Sequence, residues 1–271
     1  MDKKKGAFAR MKEQFRENPG TWALYGILRL IVILVAVRCA FAHRWEQLFL
    51  CVVVLILFVL PSILARRLKI ELPSTMERII MLFVFASEIL GEIGGYYQVF
   101  PWWDTMLHTL WGFLCAAIGF SLVDLLNRDP NIKFSLSPIF CALVAVCFSM
   151  TVGVLWEFFE FAMDRLFAFD MQKDTIVTSF SSVVLGGDGT RPFNLPEITS
   201  STINGVDYGL PGYLDIGLFD TMSDLLVNFI GAVVFSVFGY QYIKYQDRKT
   251  FAQNLIPRMA DPDEPEQTPE S

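Results

Sequence analysis

The chain has 271 residues, of which 54% are hydrophobic, 14% aromatic and only 18% charged, a balance far from the soluble norm of roughly a quarter charged. The net charge of −6 reflects an acidic C-terminal stretch and acids in or beside apolar segments; it leaves no basic footprint, and no nucleic-acid partner is expected. Five cysteines, odd in number and without a C-x-x-C pair, read as small core hydrophobes rather than a disulfide framework or thiolate ligands.

Residues 1–20 are basic and partly amphipathic, and are expected to form a cytoplasmic segment on an anionic inner leaflet. A transmembrane domain is expected over 21–244. Within it the stretches 22–42, 46–65, 78–97, 104–126, 137–163 and 220–243 each approach the roughly 20 apolar residues that cross a hydrocarbon core of about 30 Å. The expected fold class is therefore all-α, a polytopic transmembrane helical bundle of about six spans. The first stretch is not read as a secretory signal: it is longer than an h-region and carries Arg29 and Arg38.

Basic residues concentrate before residue 22, between 65 and 78, near 130 and after 243, whereas the connections on the other side of the spans hold only Arg44, Arg165, Lys173 and Arg191. The positive-inside rule then places both termini in the cytoplasm of a multi-pass plasma-membrane protein. The extracytoplasmic loop 166–219 is too long for a simple connector and should carry its own structure. Within it Thr202 to Tyr208 reads as a small β-hairpin turning at Asn204-Gly205, and 174–182 as a lid or re-entrant piece. The last segment, 245–271, reads as a cytoplasmic tail, disordered where Asp, Glu and Pro dominate.

With that orientation, the ionisable residues of the spans fall at one depth. Glu88 and Glu92 end the third stretch, Asp104 and His108 open the fourth, Glu157, Glu160 and Asp164 end the fifth, and Asp220, Asp224 and Asn228 open the sixth. Spacings of three and four place each set on one helix face. Four polar stripes at one level predict a shared cavity, since acids facing lipid are costly and acids facing one another need water, protons or a cation. Asp104, Asp164 and Asp220 lie close enough to helix ends to serve as caps instead. The run from Asp104 to Phe113 also aligns with that from Asp220 to Phe229, sharing Asp, Thr, Met, Leu and Phe, as a short internal repeat with both copies running the same way.

Carboxylates with at most one imidazole suit Mg²⁺, Mn²⁺ or Ca²⁺ better than Zn²⁺, and Mg²⁺ or Mn²⁺ is the cofactor expected. A di-iron bundle is disfavoured by the absence of Glu-x-x-His. One expectation is a metal held by Glu157, Glu160, Asp220 and Asp224 that polarises the phosphate of an envelope lipid, while His108 or Asp104 moves a proton. Glu88, Glu92, Asp164 and Asn228 would complete the polar site, and Arg38, near the outer end of the first span, would meet a phosphate or act as counter-ion. A second expectation is a proton- or cation-coupled transporter using the same carboxylates. A third is a non-catalytic membrane assembly protein.

The order Asp104-x-x-x-His108, Glu157-x-x-Glu160 and Asp224-Leu225-Leu226-Val227-Asn228-Phe229-Ile230-Gly231 resembles that of the VanZ-like superfamily, and more closely its YjdF-like uncharacterised bacterial integral membrane proteins. The resemblance covers about residues 70–240. It implies a bacterial plasma membrane and a role at the cell envelope, with Asp104, His108, Glu157, Glu160, Asp224 and Asn228 as motif positions, but no settled reaction. The long outer loop and extra acids depart from VanZ, so glycopeptide resistance is not carried over.

Overall fold

The computed structural model describes residues 19–68, 70–128, 136–187, 189–245, 254–256 and 258–259. Helix α1 (Pro19–Phe41) and helix α2 (Trp45–Leu57) are joined by a tight turn in which His43 has φ 54°. They pack through Leu28, Val32, Cys51 and Val54, and the Tyr25 hydroxyl donates to the Phe58 carbonyl, just beyond the last turn of α2. That bond satisfies a backbone acceptor that the helix end leaves without an intrahelical partner. A short helix α3 (Leu60–Leu68) extends the same span, so that Trp45–Ala65 is long and apolar enough to cross a membrane.

After strand β1 (Ile70–Glu71), helix α4 (Ser74–Val84) runs without interruption into a π-helical segment, Phe85–Ile93. A short helix α5 (Tyr96–Val99) leads to α6 (Trp103–Arg128), which is followed by α7 (Pro138–Phe167) and, after the long loop, α8 (Leu218–Lys244). Among the described residues five spans meet membrane length and apolarity: α1, α2 with α3, α6, α7 and α8. The stretch 74–93 also runs the length of the bundle. Its Met76 lies in the core cluster with Val123 and Cys141, at one end of the bundle, whereas the Ala86 carbonyl accepts from Trp103 Nε1 at 3.3 Å, at the other.

Helices α6, α7 and α8 form the tightest part of the molecule, with α7 antiparallel to the other two. Small residues explain the closeness. A Cβ on Gly112 would collide with the Asn228 carbonyl and one on Gly231 with the Thr109 carbonyl, so only glycine lets these backbones touch. Further along, Ala116, Ala117, Phe120, Ala232 and Phe235 are wholly buried, with Phe113 and Phe235 edge to face at 5.1 Å.

The loop between α7 and α8 carries its own structure, as expected. β2 (Thr175–Val177) pairs antiparallel with β7 (Tyr213–Asp215), β3 (Phe180–Ser182) with β4 (Phe193–Leu195), and β5 (Thr202–Ile203) with β6 (Val206–Asp207). The last pair is the expected hairpin, with Asn204 at φ 53° and Gly205 at φ 78° supplying the two left-handed positions. Segment 174–182 forms two of these paired strands.

At the opposite end, the C-terminal segment is less uniform than a featureless tail. Leu255 and Ile256 are buried with Met76 and Cys141, and β8 (Arg258–Met259) pairs with β1. An apolar Leu-Ile pair amid polar neighbours gives this short stretch a face worth burying. Residues 1–18 and the rest of the tail after Tyr245 lie outside the described residues.

Candidate functional site

The loop-side ends of α6, α7 and α8 converge. Asp104 stands in the first turn of α6 with His108 one turn further along; Glu157 and Glu160 stand in the last turns of α7; Asp220 and Asp224 open α8. The His108 ring sits among them. Its Nε2 lies 3.6 Å from Asp104 Oδ1 and 3.6 Å from Asp224 Oδ2, and its Nδ1 lies 4.0 Å from Glu157 Oε1. Two groups result, Asp104/His108/Asp224 and His108/Glu157/Glu160, each with potential ligand atoms within 4.8 Å of one another.

Burial is deep: relative exposure is 9% for His108, 4% for Glu157, 7% for Glu160, 4% for Asp224 and 1% for Asn228. Hydrogen bonding compensates it only in part. Glu157 Oε2, Glu160 Oε2, Asp224 Oδ2 and Asn228 Oδ1 are enclosed and make no hydrogen bond, although buried polar atoms are nearly always paired. The Asn228 amide instead donates at the limit of range, 3.5 Å to the Ser149 carbonyl and 3.4 Å to Met150 Sδ. Ser149 Oγ donates to the Gly112 carbonyl at 2.9 Å. An aromatic wall closes the side toward α4: Phe83 stacks on Trp111 at 5.5 Å, Trp111 faces Trp156 at 6.5 Å, and Trp156 Nε1 donates to Glu160 Oε1 at 3.0 Å.

Several expected members take other roles. Asp220 accepts the Lys173 backbone N–H at 2.8 Å, and Asp164 accepts those of Met171 and Gln172 at 2.7 and 2.9 Å, so both carboxylates anchor the loop. Glu88 is half-buried and accepts from its neighbour Ser87, while Glu92 is exposed. Arg38 is exposed on α1, whose packing partners are α2 and α4 rather than the three site helices. Conversely, Asp104 and His108, expected to move protons, are grouped with Asp224 as potential ligands.

Sequence reasoning missed the two tryptophans of the wall and the glycines beneath the site. Trp111 is three residues from His108, and Trp156 four from Glu160, the same one-turn spacing that located the acids.

Beside the cluster a cleft of ≈ 710 Å³ opens between α7, α8 and the loop. Glu157 lines it from within; Phe158, Phe161, Leu218 and Leu225 form apolar walls, and Arg165, Asp170 and Asp174 its mouth. Partial desolvation at the cleft raises the Asp174 carboxyl from its ordinary value, and the nearby charges of Asp170, Asp215 and Asp164 add to that. Gln172 closes the floor, donating to Thr221 Oγ1 at 2.6 Å.

A family profile described as "Predicted membrane protein (DUF2238)" matches residues 22–245. No curated protein and no solved structure matches the chain. The family description reaches membrane residence and stops there, short of the VanZ-like and YjdF-like grouping.

Proposed function

The chain belongs to the DUF2238 family of predicted membrane proteins, and from that premise we propose that it uses a divalent cation, Mn²⁺ or Mg²⁺, to act on an envelope lipid at the loop end of the bundle. In this reading it is a multi-pass protein of the bacterial plasma membrane with that end facing outward. The observation that carries the proposal is His108 set among Asp104, Asp224 and Glu157 while enclosed carboxyl oxygens remain unpaired.

Unpaired carboxylates inside a membrane protein are costly. A cation turns that cost into ligation. Asp104, His108 Nε2 and Asp224 are the set we assign to it, since their ligand atoms lie within 4.8 Å of one another. One imidazole among carboxylates favours Mn²⁺ over Mg²⁺. Glu157 then faces the other ring nitrogen and holds the tautomer, as carboxylates do behind many metal-bound histidines. A bound divalent ion supplies Lewis-acid polarisation of a phosphate oxygen. Glu160, held by Trp156, sits on the Glu157 side of the ring, where a carboxyl group can pass a proton toward the cleft.

A transporter needs a route past the site. The glycine contacts of α6 with α8 and the wholly buried layer of Ala116, Phe120, Ala232 and Phe235 close the space beneath it. That closure favours chemistry open to one side over coupled flux. A purely structural role leaves the enclosed oxygens without purpose. The motif order from Asp104 to Asn228 supports kinship with VanZ-like envelope proteins.

Mn²⁺ titration of the purified protein, followed by electron paramagnetic resonance, tests the reading. Wild type should bind Mn²⁺, with Mg²⁺ competing, and Asp224→Asn or His108→Ala should each weaken binding at least about tenfold, the scale of one lost charged ligand. Asp220→Asn, whose carboxylate anchors the loop, should change affinity little. A wild-type protein that binds neither ion overturns the metal reading. Proton-coupled flux in liposomes that vanishes in Asp224→Asn would replace it with transport.

A further inference from the structure

We infer that the cleft beside the cluster seats a phospholipid whose headgroup carries a primary ammonium, an inference that rests on the reading of an envelope-lipid protein and names its ligand class. The cleft joins two environments. Its walls include Phe158, Phe161 and Leu218, all exposed and apolar and so suited to acyl chains, while Glu157 at its inner end is almost fully buried with Oε2 unpaired. A volume of ≈ 710 Å³ holds a headgroup and the start of its chains, within the ~300–1,000 Å³ typical of small-molecule sites.

Charge selects the headgroup. Among the described residues Arg165 is the one basic residue lining the cleft, its guanidinium placed over the Phe161 ring at 5.6 Å. Against it stand five carboxylates. Asp164 and Asp215 are spent on backbone N–H groups, those of Met171, Gln172 and Phe219. Glu157 is turned inward, 4.0 Å from His108 Nδ1, which leaves Asp170 and Asp174, exposed at the mouth. A phosphate therefore has one partner, Arg165, and an ammonium has two carboxylates. A zwitterionic headgroup satisfies both; an anionic one without an amine meets a surplus of negative charge, which costs affinity. The exposed aromatic rings beside the acids add attraction for a cation. A primary ammonium donates hydrogen bonds that a quaternary one cannot, so Asp170 and Asp174 prefer the former.

Full-length protein in nanodiscs of equal phosphatidylethanolamine and phosphatidylglycerol, transferred to mild detergent, tests this by the composition of the lipid retained. Phosphatidylethanolamine should be enriched about fivefold over phosphatidylglycerol, a preference of about 1 kcal/mol. Replacing it by phosphatidylcholine should lower the enrichment. Asp170→Asn with Asp174→Asn should return the ratio to that of the nanodisc, and Phe161→Ala should reduce total lipid retained. Circular dichroism of each variant reports folding, and Mn²⁺ binding at the histidine cluster is read on the same samples. Equal retention of both lipids by wild type, or enrichment that survives the double substitution, overturns the inference. Enrichment without any Mn²⁺ binding supports the cleft while overturning the metal reading; Mn²⁺ binding without enrichment does the reverse.

Discussion

Gly112 and Gly231 set the distance between α6 and α8, and through it the geometry of the site one turn above them. Each would drive a Cβ into a carbonyl of the facing helix, and backbone cannot swing aside as a side chain does. Gly112→Val should therefore destabilise by about 1–3 kcal/mol, the range for overpacking a tight interior, seen as a lower melting temperature in detergent together with weaker Mn²⁺ binding. Gly26→Ala, on α1 with nothing within 4 Å of the added methyl, should leave both unchanged or raise stability by up to ~1 kcal/mol. Equal behaviour of the two variants would refute the idea that glycine contact positions the cluster. The acids and His108 were legible because charge in an apolar run is conspicuous. The glycines were not, because a small residue in a membrane helix reveals its purpose only when the opposing backbone is known.

Spacing rules succeed or fail with the element that carries them. On the α-helical ends of α6, α7 and α8, residues four apart share a face, and Asp104, His108, Glu157, Glu160 and Asp224 converge as the spacing implies. Glu88 and Glu92 have the same spacing but occupy the π-helical segment, whose i→i+5 bonding widens the turn. That segment packs on α2 and α5, so the pair stands apart from the three-helix cluster, with one half-buried and the other exposed. No local sequence signal announces that change of winding. Gly91 accompanies it, since a Cβ there would strike the Tyr97 ring. The loop shows the same dependence: Asn204-Gly205 fixed a hairpin locally, whereas Asp164 and Asp220 became loop anchors only through partners far along the chain. If those anchors hold the loop over the cleft, Asp164→Ala strands two backbone donors at a local cost of about 1–3 kcal/mol. Amide exchange at Met171 and Gln172 should then accelerate, while Asp207→Ala, which removes a hairpin bond to the Gly209 N–H at 2.8 Å, leaves those amides protected. Unchanged exchange at 171–172 in Asp164→Ala would mean that the strand pairs alone hold the loop.

For the molecule as a whole, the orientation turns on whether 74–93 crosses the membrane. Length and apolarity single out five helices, and an odd number would part the two ends of the chain. The twenty residues from Ser74 to Ile93, eleven α-helical and nine π-helical, nonetheless run from the Met76 end to the Trp103 end. Glu77, Arg78, Glu88 and Glu92 within them explain why composition understates the span. Counting this traverse, α1 begins at the end of the bundle where Leu255 and Ile256 are packed, and the strand-bearing loop lies at the other. Most basic residues flank the first of these ends, which the positive-inside rule assigns to the cytoplasm. In a chain with its native cysteines replaced, a cysteine at Asn204 should react with a membrane-impermeant maleimide in intact cells. A cysteine at Asn254 and an N-terminal epitope should become accessible only after permeabilisation. Labelling at Asn254 with protection at Asn204 would invert the protein and turn the histidine cluster toward the cytoplasm, removing the outward-facing lipid site. An N-terminal epitope exposed on the same side as Asn204 would mean that 74–93 does not cross, and that the traverse joining α4 to the site helices is not made in the membrane.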